Sequence, residues 1–360
     1  MPPVTSSQGP VAVTGASGYI GSHVVSNLVK RGYEVRACVT NPDNAEKVDH
    51  LKAVAEANPS GHLTIHRANL LEEGSYDEPF DGCSAIFHVG TAMAYGGANT
   101  PQEVYDGAVG GTQNVIRSAR KAGSVRRFVY TSSFAAMVNP RPPGYVYTES
   151  DWASDNREND PNWNLDNLND KGEIGYAMAK VETERILYRT AEEDGRFEGV
   201  SINPIVVLGP LLAKAHDLVF SWQWLVGRML RGKPCGNGWQ HLWNIVDVRD
   251  VAEAHVLCIE SDAPKNGDRY QLSATDDSGE LNAEQLHATL QEIFPDIAVG
   301  GPPPEYDAMI EKHGKPYDAP RAHCDKARRD LGLKTHRVDD TLRETGRSLI
   351  ELGLIEPKRR

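Results

Sequence analysis

Tyr176 and Lys180 are the residues whose types and spacing point most directly to chemistry. They stand four apart in the run GYAMAK, within a helical pattern over Glu173–Glu193, so both side chains project from one face. A phenol is a poor acid at neutral pH, but a neighbouring cation favours the phenolate and makes proton transfer accessible. The same spacing also occurs by chance in helices that carry a packing tyrosine. Whether this pair is catalytic therefore depends on the predicted elements around it.

Two hydroxyls lie at the end of a predicted strand. The apolar run Phe128–Thr131 is followed by Ser132 and Ser133, and open α/β sheets bind ligands at the carboxyl ends of their strands. One of these serines can hold a substrate oxygen, and spacing alone leaves open which one.

A glycine-rich loop follows the first predicted strand and opens a helix. In VTGASGYIG at 13–21, Gly15 permits a tight turn, Gly18 admits a pyrophosphate and Gly21 allows close helix packing. The helix amino terminus adds amide donors, so Ser17, Tyr19 and Ile20 are also predicted cofactor contacts. Three turn glycines are the alternative interpretation, which the position between strand and helix disfavours.

The end of the second predicted strand favours NADP(H), with NAD(H) still possible. An acid there would bind the ribose 2′-hydroxyl and repel a 2′-phosphate, but 35–42 contains none. Arg36, Thr40, Asn41 and Lys47 could instead donate to a phosphate. Alternatively, Arg36 and Lys47 are ordinary surface charges.

The order of predicted elements indicates an α/β fold, a doubly wound parallel sheet of the Rossmann type with a smaller C-terminal substrate lobe. Short apolar runs alternate with helical patterns from Val11 to Pro204, whereas Gly and Pro interrupt the later chain. We predict a dinucleotide-binding domain over 1–203, rejoined by 242–260. Residues 204–241 and 261–360 are assigned to the substrate lobe. The long segment 138–171 is either a solvated insertion or a lid over the substrate.

Composition and charge exclude several classes of protein. A net charge of −12 and a pI near 5.5 argue against nucleic-acid or anionic-membrane partners, which require a basic surface. The five cysteines are scattered, which predicts neither disulfides nor a zinc site. Histidines 23, 88, 241 and 255 have no ligand spacing, so no metal is predicted. The amino terminus resembles no signal peptide, and a cytoplasmic protein is expected.

Several runs together resemble the extended short-chain dehydrogenase/reductase family, in particular its dihydroflavonol 4-reductase-like branch with the yeast ketone and aldehyde reductases. The resemblance covers most of the chain. The runs are VTGASGYIGSH at 13–23, GYEVRA at 32–37, EGSYDE at 73–78, GCSAIFHVGT at 82–91, GGTQNV at 110–115, VRRFVYTSS at 125–133, YAMAK at 176–180 and VDVRDVA at 246–252.

This resemblance implies a catalytic trio of Ser133, Tyr176 and Lys180, with Ser133 chosen over Ser132. It also implies further cofactor contacts, which are Asn69 and Leu70 at the adenine, Val89, and Pro204 with the backbone of 205–207 including Val206 at the nicotinamide.

The chain departs from the family pattern at three places. Asn69 stands where relatives have Asp, and Thr40 stands where they commonly carry an Arg that binds the 2′-phosphate. The segment 172–175 lacks the asparagine-tryptophan-cysteine signature of cinnamoyl-CoA reductases, which disfavours a CoA thioester substrate.

The function predicted from these residues is reduction of a ketone or aldehyde by NADP(H), with Tyr176 as general acid, in a monomer or homodimer acting on a small molecule. The alternatives are an NAD-retaining sugar-nucleotide epimerase or dehydratase, and an NADP-sensing interaction protein. Five aromatic or apolar residues either line the carbonyl pocket or belong to the core, namely Met93, Tyr95, Phe134, Trp222 and Trp224. The helical pattern at 322–354 either packs on the lobe or mediates association.

Overall fold

A parallel sheet forms the centre of the molecule. The computed structural model describes residues 1–91, 100–142, 144–167, 173–219, 221–236, 243–274, 280–313 and 321–360. Its main strands are β1 (Val11–Thr14), β2 (Glu34–Val39), β3 (His62–Arg67), β4 (Ala85–His88), β5 (Arg127–Thr131), β6 (Glu198–Pro204) and β9 (Arg269–Leu272). They pair in the order β3-β2-β1-β4-β5-β6-β9 and all neighbours are parallel. The predicted doubly wound sheet is thus confirmed.

Helices cover both faces of this sheet, because parallel strands joined by crossovers are apolar on both sides. One face packs against α1 (Tyr19–Lys30), α2 (Ala45–Ala57), α7 (Val248–Glu260) and α10 (Asp325–Leu331). The opposite face packs against α3 (Asp77–Phe80), α4 (Pro101–Ala122) and α5 (Glu173–Asp194). Since the strand order reverses between β1 and β4, their carboxyl ends open the crevice where such folds bind ligands.

A smaller lobe contains its own core. It is built from the two-stranded parallel sheet of β7 (Val206–Leu208) and β8 (Ile245–Asp247) with α6 (Trp222–Leu230), α8 (Ala283–Ile293), α9 (Tyr306–His313) and α11 (Val338–Glu351). In α11, Thr345 and Ser348 accept hydrogen bonds from the amides of Gly209 and Leu211. The C-terminal helix therefore packs on the lobe, the first of the two roles considered for 322–354.

The division of the second half of the chain differs from the predicted boundaries. Segment 261–360 was assigned to the lobe, but β9 is the seventh strand of the main sheet and α10 packs on it. Segment 242–260 was expected to rejoin the first domain. Its helix α7 packs beside α1, whereas its strand β8 pairs with β7 in the lobe. Strand pairing joins residues distant in sequence, so a local pattern does not reveal it.

The described part of segment 138–171 is docked against the sheet. Tyr147 donates its amide to Arg321, and Ala153 donates its amide to Ala136 at 2.8 Å. From β9, Arg269 donates to the carbonyls of Glu149 and Asp151. These contacts make 144–157 a packed extension of the main body.

None of the helices in the described part of the chain is long and apolar enough to cross a membrane.

Close packing of α4 and α5 generates a stability prediction. A Cβ at Gly175, in the first turn of α5, would lie 2.2 Å from the carbonyl oxygen of Pro101. We expect Gly175→Ala to lower the free energy of unfolding by about 1–3 kcal/mol, since the backbones must separate. Urea denaturation measures this change.

Gly110 in α4 provides the matched control, because a Cβ there meets nothing within 4 Å. Alanine at an unobstructed helical position is better than glycine, so Gly110→Ala should raise the free energy of unfolding by about 0.5–1 kcal/mol. Equal effects of the two variants would contradict the steric explanation.

Candidate active site

The structure distinguishes the two serines that follow β5. Ser132 is 3% exposed and its hydroxyl donates to the carboxylate of Glu184. Ser133 is half-buried, and its oxygen accepts the amide of Ala135 at 3.1 Å as it caps the short 3-10 helix at 134–136. Among the described residues, none accepts the hydroxyl proton of Ser133. The geometry leaves Ser133 able to donate to a bound oxygen.

Lys180 lies beneath the carboxyl ends of β4 and β5. Its ammonium is buried and donates to the carbonyl of Thr131 at 2.8 Å, to the hydroxyl of Tyr130 at 3.0 Å and to the hydroxyl of Thr91 at 3.2 Å. Burial disfavours the charged amine and lowers the pKa of Lys180 to about 7, against the opposing influence of Glu184. The lysine is therefore fixed in place and poised between its two protonation states near neutral pH.

Tyr176 shares its helix face with Lys180. It is half-buried, and the lysine Nζ lies 5.5 Å from the centroid of its ring. The close approach of Gly175 to Pro101 sets how near this turn of α5 lies to α4. Tyr176 and Lys180 thus share one face of α5, and Lys180 bonds to Thr131, two residues before Ser133 at the end of β5.

Two neutral histidines connect the strand ends to the helices. His88 of β4 bridges Thr14 (2.8 Å) and Thr112 of α4 (3.1 Å), and burial lowers its pKa to about 3. His255 of α7 contacts the hydroxyl of Thr131 at 2.6 Å, and burial lowers its pKa to about 4. Both histidines therefore have structural contacts between strand ends and helices.

The glycine loop packs closely against the end of β4 beside this edge. Gly15 has φ +62°, and a Cβ there would lie 2.6 Å from the Cα of Gly90; a Cβ at Gly21 would lie 2.2 Å from the oxygen of Gly15. Gly18 caps α1 without a side-chain hydrogen bond, and the first turn contains no acid. Backbone amides at the start of α1 are thus available to an anion.

Side chains of α1 tie this loop to the lobe. The hydroxyl of Tyr19 donates to the carbonyl of Gly209 at 2.9 Å, and the His23 ring contacts the carbonyl of Pro210 at 2.9 Å. Ile20 packs on the core beside β1, while the ring of His216 contacts the backbone of Ser17. The side chains of Tyr19 and Ile20 are therefore engaged within the protein, and their backbone amides are the groups that they offer to a ligand.

Only some of the predicted 2′-phosphate residues lie at the end of β2. Thr40 and Asn41 follow β2 directly and Lys47 lies in the first turn of α2; all three are exposed. Arg36 lies in the middle of the strand, and its guanidinium donates to the carbonyls of Pro79 and Asp81 on the α3 side. Arg36 lies four residues before Thr40 along the strand, and its contacts hold the guanidinium away from this edge.

The remaining predicted cofactor contacts follow other strands. After β3, Asn69 accepts the amide of Leu71 at 3.1 Å, and the carbonyl of Leu70 accepts from Asn114 at 2.8 Å. After β4, Val89 lies beside Gly15. Pro204 ends β6. The amide of Val206 donates to Asn244 at 3.0 Å, which leaves that amide occupied.

Aromatic residues proposed for the carbonyl pocket have mostly core contacts. Phe134 is 6% exposed and packs edge-on against Tyr147. Trp222 and Trp224 pack against the lobe core, with Trp222 5.0 Å from Trp243 between ring centroids. Met93 and Tyr95 lie outside the described residues.

Sequence reasoning missed a buried polar cluster formed by Glu184, Asn203 and Arg269. Glu184 pairs with Arg269 at 2.6 Å and accepts from the amide of Asn203 at 2.7 Å. All three are at most 3% exposed. The spacing of Glu184 one turn after Lys180 is the only local signal, because its partners come from β6 and β9.

Comparison with known proteins gives concordant results. Residues 11–273 match the model of the NAD dependent epimerase/dehydratase family. The chain is 31% identical over 344 residues to cinnamoyl-CoA reductase CAD2 of Medicago truncatula, with 95% of each chain covered. It is 37% identical over 270 residues to dihydroflavonol 4-reductase of Arabidopsis thaliana, which covers 74% of this chain and 65% of that protein.

The fold is shared with a solved structure of Gre2 from Candida albicans in complex with NADPH, at a TM-score of 0.76 and 22% identity, covering 95% of this chain and 99% of that one. These matches confirm the resemblance to the extended short-chain dehydrogenases. Matched over most of its length, the chain belongs to the NAD dependent epimerase/dehydratase family.

Proposed function

We propose that the protein reduces a ketone or aldehyde to an alcohol with NADPH. The observation that carries this proposal is that Lys180 lies near the Tyr176 ring and bonds to Thr131, two residues before Ser133, at the carboxyl edge of the sheet. Reductases with similar sequences, among them dihydroflavonol 4-reductase, support it.

Ser133 and Tyr176 hold the substrate oxygen while charge develops on it. The Ser133 hydroxyl is preoriented, because its oxygen already accepts the amide of Ala135. Tyr176 delivers the proton that converts the alkoxide to the alcohol. Lys180, when protonated, stabilises the phenolate that remains after transfer. Donors aimed at a developing oxyanion are typically among the largest contributions to such catalysis.

The glycine loop fits a dinucleotide. Gly15 packs so closely on Gly90 that a Cβ at Gly15 would not fit, and the uncapped start of α1 suits a pyrophosphate. When bound, the nicotinamide supplies the hydride. The absence of an acid at 35–42 and the exposed Thr40 and Lys47 favour the 2′-phosphate of NADPH.

The substrate class is an open-chain or ring carbonyl rather than a CoA thioester. Relatives include cinnamoyl-CoA reductases, but segment 172–175 lacks their signature. A thioester would also release a thiol and an aldehyde, whereas the trio needs only to protonate one oxygen.

Removing the phenol should abolish reduction. We expect Tyr176→Phe to lower kcat by at least about 10²-fold, because general acid catalysis contributes on the order of 10²–10⁴-fold. The measurement follows absorbance at 340 nm with NADPH or NADH and a panel of aromatic ketones, aldehydes and β-keto esters. Tyr33→Phe is the control, since that hydroxyl bonds Val4 and Glu260 at the amino edge of the sheet.

A protein without reductase activity would favour the alternative epimerase or dehydratase activity. If wild-type protein consumes no cofactor and releases bound NAD on denaturation, an epimerase or dehydratase replaces the reductase.

Ser133 is expected to matter through its hydroxyl. Ser133→Ala should reduce kcat by about 10²-fold, the usual cost of one lost oxyanion donor, while the KM for NADPH changes little. Ser133→Thr, which keeps a hydroxyl, should recover part of the rate. Equal losses in both variants would show that packing, not hydrogen bonding, matters there.

Cofactor choice is tested at Thr40. Introducing a carboxylate with Thr40→Asp should raise the KM for NADPH by about 10-fold and leave the KM for NADH nearly unchanged, because two negative charges then face each other. Thr5→Asp places the same charge on an exposed residue of the amino-terminal segment. If Thr40→Asp affects both cofactors alike, the 2′-phosphate lies elsewhere.

A further inference from the structure

Glu184 is a common partner of the groups that flank the proposed catalytic trio. It is completely buried on α5, four residues after Lys180. Its Oε1 accepts from the Ser132 hydroxyl and, at 2.7 Å, from the Asn203 amide. Its Oε2 pairs with Arg269 at 2.6 Å. A buried carboxylate is stabilised by such donors, and these three donors come from three strands or their ends.

Two of these contacts fix the backbone around Ser133. Ser132 precedes it directly, and the Asn203 side chain that donates to Glu184 also donates to the carbonyl of Ser133 at 3.1 Å. Glu184 therefore restrains both the residue before Ser133 and the peptide after it. Without this anchor, the turn from β5 into the 3-10 helix would hold Ser133 less rigidly.

The same carboxylate lies one helical turn after Lys180, on the same face of α5. Burial lowers the pKa of Lys180 to about 7, and the negative charge of Glu184 opposes that decrease. From β5, Tyr130 accepts a hydrogen bond from the lysine, and burial raises the pKa of Tyr130, which keeps it neutral. From β4, His88 is neutral as well, because burial lowers its pKa to about 3.

Three other groups complete the surroundings of Lys180 and Glu184. Tyr176 approaches the lysine from the same helix. Arg269 approaches the carboxylate from β9, and Tyr188 of α5 donates its hydroxyl to Glu184 at 3.3 Å. Glu184 is the negative charge identified as acting on Lys180 within the described part of the chain.

We propose that Glu184 is a positioning residue for the reduction, which anchors the turn that presents Ser133 and supplies the negative charge that favours the protonated form of Lys180. This inference rests on the proposed function. It makes Glu184 act through two members of the trio, without touching the substrate.

The test compares pH profiles of kcat/KM. Glu184 favours the protonated amine, so in Glu184→Gln the proton leaves Lys180 at lower pH. Activity that requires the ammonium is then lost earlier as pH rises. We expect the midpoint of the alkaline limb to move down by about 0.5–1 pH unit, since a lost neighbouring charge shifts a buried amine by this order. We also expect kcat to fall about 10-fold, with little change in the KM for NADPH.

Three further variants separate charge from packing. Glu192→Gln removes an exposed charge on the same helix and should leave the profile unchanged. Glu184→Asp retains the charge, so the midpoint of its alkaline limb should stay close to that of the wild type, whereas its kcat should fall. Ser132→Ala removes one anchor without altering charge, so kcat should fall several-fold at an unchanged midpoint. Wild-type kcat in Ser132→Ala would overturn the anchoring role.

A readout independent of turnover distinguishes this inference from the proposed function. The ¹³Cε resonance of Lys180, assigned with Lys180→Arg, reports its titration in each protein. A downward shift in Glu184→Gln supports the charge role even if wild-type protein reduces nothing, in which case only the proposed function fails. An unshifted titration in active protein overturns the charge role alone. Should Glu184→Gln not fold, Glu184→Asp and Ser132→Ala decide the two roles.

Discussion

The buried ammonium of Lys180 is the constraint on which the arrangement of this site depends. A lone amine is costly to bury, and this one is accommodated by three acceptors, the carbonyl of Thr131 and the hydroxyls of Tyr130 and Thr91. Those acceptors belong to the end of β5 and the segment after β4. These hydrogen bonds fix the position of α5 along the strand direction. At that position Tyr176 lies beside the end of β5.

Small residues make that crossing possible. The first turn of α5 approaches α4 so closely that only glycine fits at 175. Across the crevice, Gly15 and Gly90 bring β1 and β4 together in the same manner, and the neutral ring of His88 joins Thr14 to Thr112. Close backbone contact and uncharged hydrogen bonds thus set the geometry of this side of the edge.

The parts of this fold that sequence predicts are those whose cause is local. The glycine loop, the strand and helix alternation, and the four-residue spacing of Tyr176 and Lys180 each follow from neighbouring residues. Strand β9 has a short sequence between turns and joins the sheet only through its register with β6, so it was assigned to the lobe. For Arg36, four residues at about 3.3 Å each separate it from Thr40. Counting along the strand would have placed it far from the edge.

The choice between Ser132 and Ser133 also could not come from spacing, because it depends on Glu184 and Arg269, the latter a strand away in the fold. A buried ion pair contributes little net stability, since desolvation offsets most of the attraction. Its geometric effect is larger, because Arg269 also donates to the carbonyls of Glu149, Asp151 and Ala136. The pair thereby connects α5, the end of β5 and the docked segment after it. Local sequence supplies the candidate reacting groups, and a long-range polar cluster engages the hydroxyl of one of two adjacent serines, Ser132, and not that of Ser133.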